Sequence, residues 1–137
     1  MAGLPLAAKL KLREGTRAAI INAPDSYRKD LGAVPSGVTI SPKLTGKFGW
    51  IQIFVKNQSE LRRVGPRAVR ALGPDGLLWI AFPKGSSSLQ TDLTRDTGWD
   101  VLHAFALKWV TLVSVTPVWS AFAMRLRKPG EERRSFR

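Results

Sequence analysis

Lys84-Gly85-Ser86-Ser87-Ser88 is the stretch of the chain richest in groups that could do chemistry. It leaves an apolar run and leads to Thr91 and Asp92, either of which can cap a helix. Helix N-termini present unpaired amides and a partial positive charge. An ammonium, a flexible glycine and three hydroxyls beside such a terminus predict capture of a phosphate, a sulfate or a carboxylate. Asn22, at the end of another apolar run, is expected to border the same site. The order differs from a Walker loop, in which glycines precede the lysine and the lysine opens the helix. A plain strand-to-helix connection uses the same residue types, with Asp92 and Asp96 as dipole partners.

Catalytic constellations are hard to assemble from the remaining residues. Cysteine is absent, which removes disulfides, thiolate metal sites and a cysteine nucleophile, and suits a reducing compartment. The single histidine, His103, lies between Leu102 and Ala104 in a segment that reads as helix, so neither a zinc site nor a serine triad is expected. Lys84 would activate Ser86 or Ser87 only if burial lowered its pKa, which an exposed loop does not impose. Asp92 and Asp96 are one helical turn apart and are expected to be exposed. The residues therefore predict ligand binding by Asn22, Lys84, Gly85, Ser86, Ser87, Ser88 and Thr91, with no metal, no cofactor and no complete catalytic set.

Charge supplies the alternative. Lysine and arginine number 22 against 10 acids, a net charge of +12. That predicts nonspecific attraction to RNA or DNA. Arg63, Arg67 and Arg70 share one helix face and could form a phosphate-binding stripe; the solvated face of an ordinary helix looks the same. Trp109 to Met124 is the longest uncharged run, but it is too short for a membrane span and is broken by Pro117. Nothing at the amino end resembles a secretory signal, so the expected location is the cytoplasm. The oligomeric state stays open.

Elements that would position these groups follow from periodicity. At 137 residues one domain is expected, over 1–127, with a basic tail at 128–137 that lacks the apolar content to fold. Arg17 to Asn22, Gly49 to Val55 and Leu77 to Phe82 are continuous apolar runs of strand length, as in a sheet covered on both faces. Val38 to Ser41 adds a short strand, and Trp109 to Val115 with Val118 to Leu126 an antiparallel pair around Thr116-Pro117. A short helix is expected over Leu4 to Lys11 and another after Pro24-Asp25-Ser26, closed by Gly32. A third should run from a Ser59 cap to Leu72 with a break at Pro66, and a fourth from about Asp92 to Leu107. Gly73-Pro74-Asp75-Gly76 reads as a turn. Four of the five tryptophans lie in or beside these strands and are expected to be core; Trp99 is less determined. Together these elements form a layered α/β fold.

Ile21-Asn22-Ala23-Pro24, Trp79 to Ser87, Thr91 to Asp96 and Trp119-Ser120-Ala121 together resemble a family of short bacterial proteins with a class I methyltransferase-like core. The resemblance covers about residues 5 to 127. It implies a three-layer Rossmann-like fold with a mostly parallel sheet, a C-terminal antiparallel pair, strand order 2-1-3-4-6-5 and one strand fewer than a full methyltransferase. It implies no activity. Where that fold uses a glycine-rich loop after the first strand, this chain has Asn22-Ala23-Pro24-Asp25-Ser26-Tyr27. Where it uses an acid after the second strand, Ser41-Pro42-Lys43 stands here. A reduced S-adenosylmethionine-dependent methyltransferase is thus a third reading beside anion binding and nucleic-acid binding.

Overall fold

The computed structural model describes residues 5–85 and 91–131. Six strands form one sheet in the order β2-β1-β3-β4-β6-β5. The strands are β1 (Arg17–Ile21), β2 (Thr39–Ser41), β3 (Phe48–Phe54), β4 (Leu72–Pro83), β5 (Leu107–Ser114) and β6 (Trp119–Leu126). β2, β1, β3 and β4 run parallel, while β6 is antiparallel to both β4 and β5. This is the mixed sheet and strand order that the sequence implied.

Each face of the sheet carries its own core. On one side Ile51, Ile53, Leu78 and Ile80 meet helix α3 (Gln58–Arg70) through Leu61, Val64 and Ala68. On the other, Trp50, Phe54, Trp79 and Ala81 meet helices α1 (Leu6–Lys9) and α2 (Tyr27–Leu31) through Ala7, Leu10, Tyr27 and Leu31. All five tryptophans are buried, Trp99 included. The indole N–H groups of Trp50 and Trp79 both donate to the Leu10 carbonyl, each at 2.8 Å. That carbonyl lies at the end of α1, where helical partners run out. One backbone oxygen thereby satisfies two buried donors and fastens a four-residue helix to the sheet. Among the described residues no helix is long and apolar enough to cross a membrane.

Several expected boundaries move. α3 begins at Asn57 instead of Ser59. The Asn57 side chain accepts from the Glu60 amide at 2.9 Å, and Glu60 reaches back to accept from the Lys56 amide at 2.7 Å. This reciprocal arrangement satisfies two otherwise unpaired donors, as in a capping box. Pro66 does not divide the helix, which continues to Arg70. Gly32 ends α2 with φ 77°, the left-handed conformation expected there.

The expected turn at Gly73–Gly76 is absorbed into β4 as a wide irregularity. Phe48 pairs with Leu72 and Trp50 with Leu77, so two steps along β3 face five along β4. Gly76 makes this possible: a Cβ there would lie 2.7 Å from Leu72 Cδ1 and 2.9 Å from the Phe48 carbonyl oxygen.

The largest correction concerns the expected helix from Asp92 to Leu107. Only a short 3-10 turn forms, over Asp100–Leu102. Local side chains compete for the backbone. Thr91 Oγ1 accepts from the Leu93 amide, Thr94 Oγ1 accepts from the Asp96 amide, and the Thr94 amide donates to the Thr97 carbonyl. Gly98 then turns the chain at φ 101°. What looked like helical periodicity is a compact loop that buries Leu93, Trp99 and Leu102 against the sheet.

Candidate functional site

Parallel sheets place ligands beyond the carboxyl ends of their strands, where strand order reverses. Here strand order reverses between β1 and β3, so the exit of β1 borders that crevice, with the exit of β2 on its other side. β1 ends at Ile21, and Asn22 follows with φ 61°. Left-handed backbone disfavours most side chains, but asparagine enters it more readily than residues other than glycine. Asn22 thus makes the bend that glycine would otherwise supply. Ala23 and Pro24 follow, and the Tyr27 amide closes a turn onto the Pro24 carbonyl at 2.9 Å.

Two cavities flank this bend. The larger, of about 470 Å³, lies between the exits of β1 and β2 and is bordered by Asn22, Asp25, Arg28, Ile40 and Ser41. The smaller, of about 250 Å³, lies towards β3 and α3 and is bordered by Asn22, Lys56, Glu60, Arg63 and Trp119. Asn22 and Ala23 line both. The larger groove has one carboxylate, Asp25, and one guanidinium, Arg28, over an apolar wall from Ile20, Ile40 and Pro42. A groove of this size suits a nucleoside.

Behind the bend lies a buried polar pair. Tyr27 donates its hydroxyl hydrogen to Gln52 Oε1 at 2.5 Å. Gln52 is fully buried, and its Nε2 has no partner among the described residues. Burial pushes the Tyr27 phenol well above its ordinary value of 10, and the Asp30 carboxylate adds to the rise. Tyr27 is the chain's only tyrosine, so its ionisation can be read directly from tyrosinate absorbance. A raised folded-state pKa contributes stability that is fully present below pH 10 and is lost as pH rises towards the folded value. The expected result is no tyrosinate signal at pH 10 while the fold persists, with the signal rising together with alkaline unfolding. A titration centred on pH 10 in the folded protein would contradict the buried pair.

The residues expected to form one site are distributed differently. Asn22 sits at the β1 exit beside Lys56 and Arg63. Lys84 is placed against the β5–β6 hairpin, where its amide donates to the Val118 carbonyl at 2.7 Å and its ammonium to Ser114 Oγ at 2.5 Å. Gly85 is exposed, and Ser86, Ser87 and Ser88 lie outside the described residues. Thr91 is engaged in its own turn. Asp92 caps a helix, but that helix is α3: its carboxylate accepts from the Gln58 amide at 2.7 Å. His103 is exposed, 3.7 Å from Asp100.

Arg63, Arg67 and Arg70 all lie exposed on α3. Arg63 borders the smaller cavity, whereas Arg70 stands over the Phe105 ring at 5.9 Å. Seven residues of helix separate them by roughly 10 Å. Asp25, Arg28, Lys56 and Glu60 were not singled out from the sequence. Asp25 looked like a helix-start residue, and the left-handed asparagine beside it is the signal that could have drawn attention to this bend.

No protein-family model matches the sequence, and no curated protein matches it. Solved structures with the same fold include several methyltransferases. The N-methyltransferase NodS from Bradyrhizobium japonicum superposes with a TM-score of 0.54 at 14% identity, over 82% of this chain and 86% of that one. The tRNA methyltransferase TrmK from B. subtilis gives 0.52 at 10% identity, over 92% and 67%. A ribosomal-protein methylase from Lactobacillus delbrueckii subsp. bulgaricus gives 0.51 at 11% identity, over 82% and 71%. The chain spans a smaller share, 36%, of LepI, another structural neighbour. At these identities the likeness shows the architecture: the chain carries a class I methyltransferase-like fold with a six-stranded sheet.

Proposed function

We propose that the chain binds an S-adenosyl compound in the groove between the exits of β1 and β2, as a reduced domain of the methyltransferase type. The observation that carries this reading is the left-handed Asn22 bend beside a groove of about 470 Å³ that contains a single carboxylate. The acid that such folds place after the second strand is replaced here by Ser41-Pro42-Lys43. Asp25 lines the groove from the β1–α2 loop and is the group available to accept from ribose hydroxyls. Ile20, Ile40 and Pro42 offer apolar surface for a base. Lys56 and Arg63 in the adjoining cavity offer cations for an amino-acid carboxylate. An S-adenosyl sulfonium, when bound, supplies an electrophilic methyl group. The chain's own residues bind and orient; Glu60, the carboxylate of the second cavity, already accepts from the Lys56 amide at the start of α3.

This reading takes precedence over anion capture at Lys84 to Ser88 because the groove opens at the exit of β1, which borders the fold's crevice, and Lys84 lies against the hairpin. Thermal unfolding with S-adenosylhomocysteine tests it. Saturation at a hundred times the dissociation constant should stabilise the fold by about 2.7 kcal/mol. Asp25→Asn should weaken binding roughly tenfold, by removing a charge-assisted hydrogen bond. No stabilisation, or equal binding by Asp25→Asn, would count against the groove.

A further inference from the structure

At the opposite, amino-terminal edge of the sheet lies a cavity of about 410 Å³. The irregularity in β4 makes room for it. Gly49 and Gly76 contribute no side chains there, and the half-buried Leu77 supplies apolar surface. β-bulges often re-aim side chains beside functional sites. Around the rim stand three cations from separate segments: Lys11 after α1, Arg13 before β1, and Arg125 on β6. Asp75 is the one carboxylate in the lining. Lys11 takes a left-handed φ of 62°. Among the described residues, neither its ammonium nor the Arg13 guanidinium has a hydrogen-bond or ion-pair partner.

Arg125 shows what such a rim can grip. Its two terminal nitrogens hold both oxygens of the Glu131 carboxylate, at 2.9 and 2.5 Å. Glu131 Oε1 also accepts from the Lys128 amide at 2.6 Å. These hydrogen bonds hold the Glu131 carboxyl at about 2, well below the usual carboxylate range. A carboxylate from the chain's own carboxyl-terminal segment therefore occupies one of the three cations, while the other two have no described anion.

We propose that this cavity binds a phosphomonoester of sugar-phosphate size, and that Glu131 competes with the phosphate for Arg125. A phosphomonoester carries near-dianionic charge and several acceptor oxygens, so it can engage cations approaching from different segments at once; a carboxylate satisfies one arginine fork. The sugar body rests over Leu77 and the bare backbone of Gly49 and Gly76. This site is separate from the S-adenosyl groove, at the other ends of the strands.

Calorimetric titration with ribose 5-phosphate tests the proposal, with inorganic phosphate and unphosphorylated ribose run alongside. Saturable binding of ribose 5-phosphate and none of ribose is expected. The double variant Lys11→Gln/Arg13→Gln, which alters two exposed side chains, should lose roughly tenfold in affinity. Glu131→Gln should gain roughly threefold, since it frees Arg125 from a partly exposed ion pair. Lys84→Ala should bind as the parent does, and circular dichroism should show each variant folded. Absence of saturable binding, unchanged binding by the double variant, or loss of binding in Lys84→Ala would overturn the site. Unchanged affinity in Glu131→Gln would overturn the competition.

Discussion

Phe122→Ala should destabilise the fold by about 3–5 kcal/mol, the range for emptying a buried aromatic site. Phe122 is fully buried on β6, paired with Ile80 of β4 and Leu112 of β5. Its ring meets Trp109 at 4.8 Å, Trp99 at 5.1 Å and Phe82 at 5.6 Å between centroids. Two of these contacts are edge-to-face and one is stacked, geometries that add to simple area burial. The neighbours are large and braced against one another, so the cavity cannot collapse cheaply. At roughly 4 °C per kcal/mol for a domain of this size, the melting temperature should fall by roughly 12–20 °C. A drop of only a few degrees would mean that the aromatic cluster is not packed as described.

Gly98→Ala carries an unusually sharp expectation, because the helical reading and the structure predict opposite signs. In the interior of a helix the exchange would stabilise by about 0.5–1 kcal/mol. In the structure Gly98 has φ 101°, and an added Cβ would lie 2.7 Å from Leu93 Cδ2, 3.0 Å from the Asp92 carbonyl oxygen and 3.0 Å from Gln58 Cγ. Backbone strain and overpacking together should cost about 2–4 kcal/mol. The damage would spread, since Asp92 also caps α3 through the Gln58 amide. Urea denaturation gives the sign directly, and stabilisation would restore the helix that the sequence suggested.

Much of the sheet was legible in the sequence because doubly covered strands write themselves as unbroken apolar runs, as in Leu77 to Phe82. The strand order came from resemblance and holds. The loop over residues 91–106 was not legible. Its Leu93, Val101, Leu102 and Phe105 fall at near-helical spacing, yet the threonine hydroxyls and Gly98 hold the backbone in turns. The Gly73–Gly76 irregularity was misread for a similar reason: its composition marks a turn, and only pairing with β3 shows that the strand runs on around it.

The candidate site was half legible. Asn22 was found from its place at a strand exit, but its expected partner, Lys84, extends to the β5–β6 hairpin. Asp25, Lys56 and Arg63 reach the bend from three segments, and no local pattern in the sequence links them. Of the 22 basic residues, Lys11, Arg13 and Arg125 border the cavity at the edge opposite the groove.

Whether the Asn22 bend receives an S-adenosyl compound can be read from backbone amide chemical shifts as S-adenosylhomocysteine is added. Saturable changes are expected, largest at Asn22, Ala23, Asp25, Arg28 and Ser41. An absence of saturable changes, or changes confined to Lys84 through Thr91 or to the Lys11 to Thr16 edge, would contradict it.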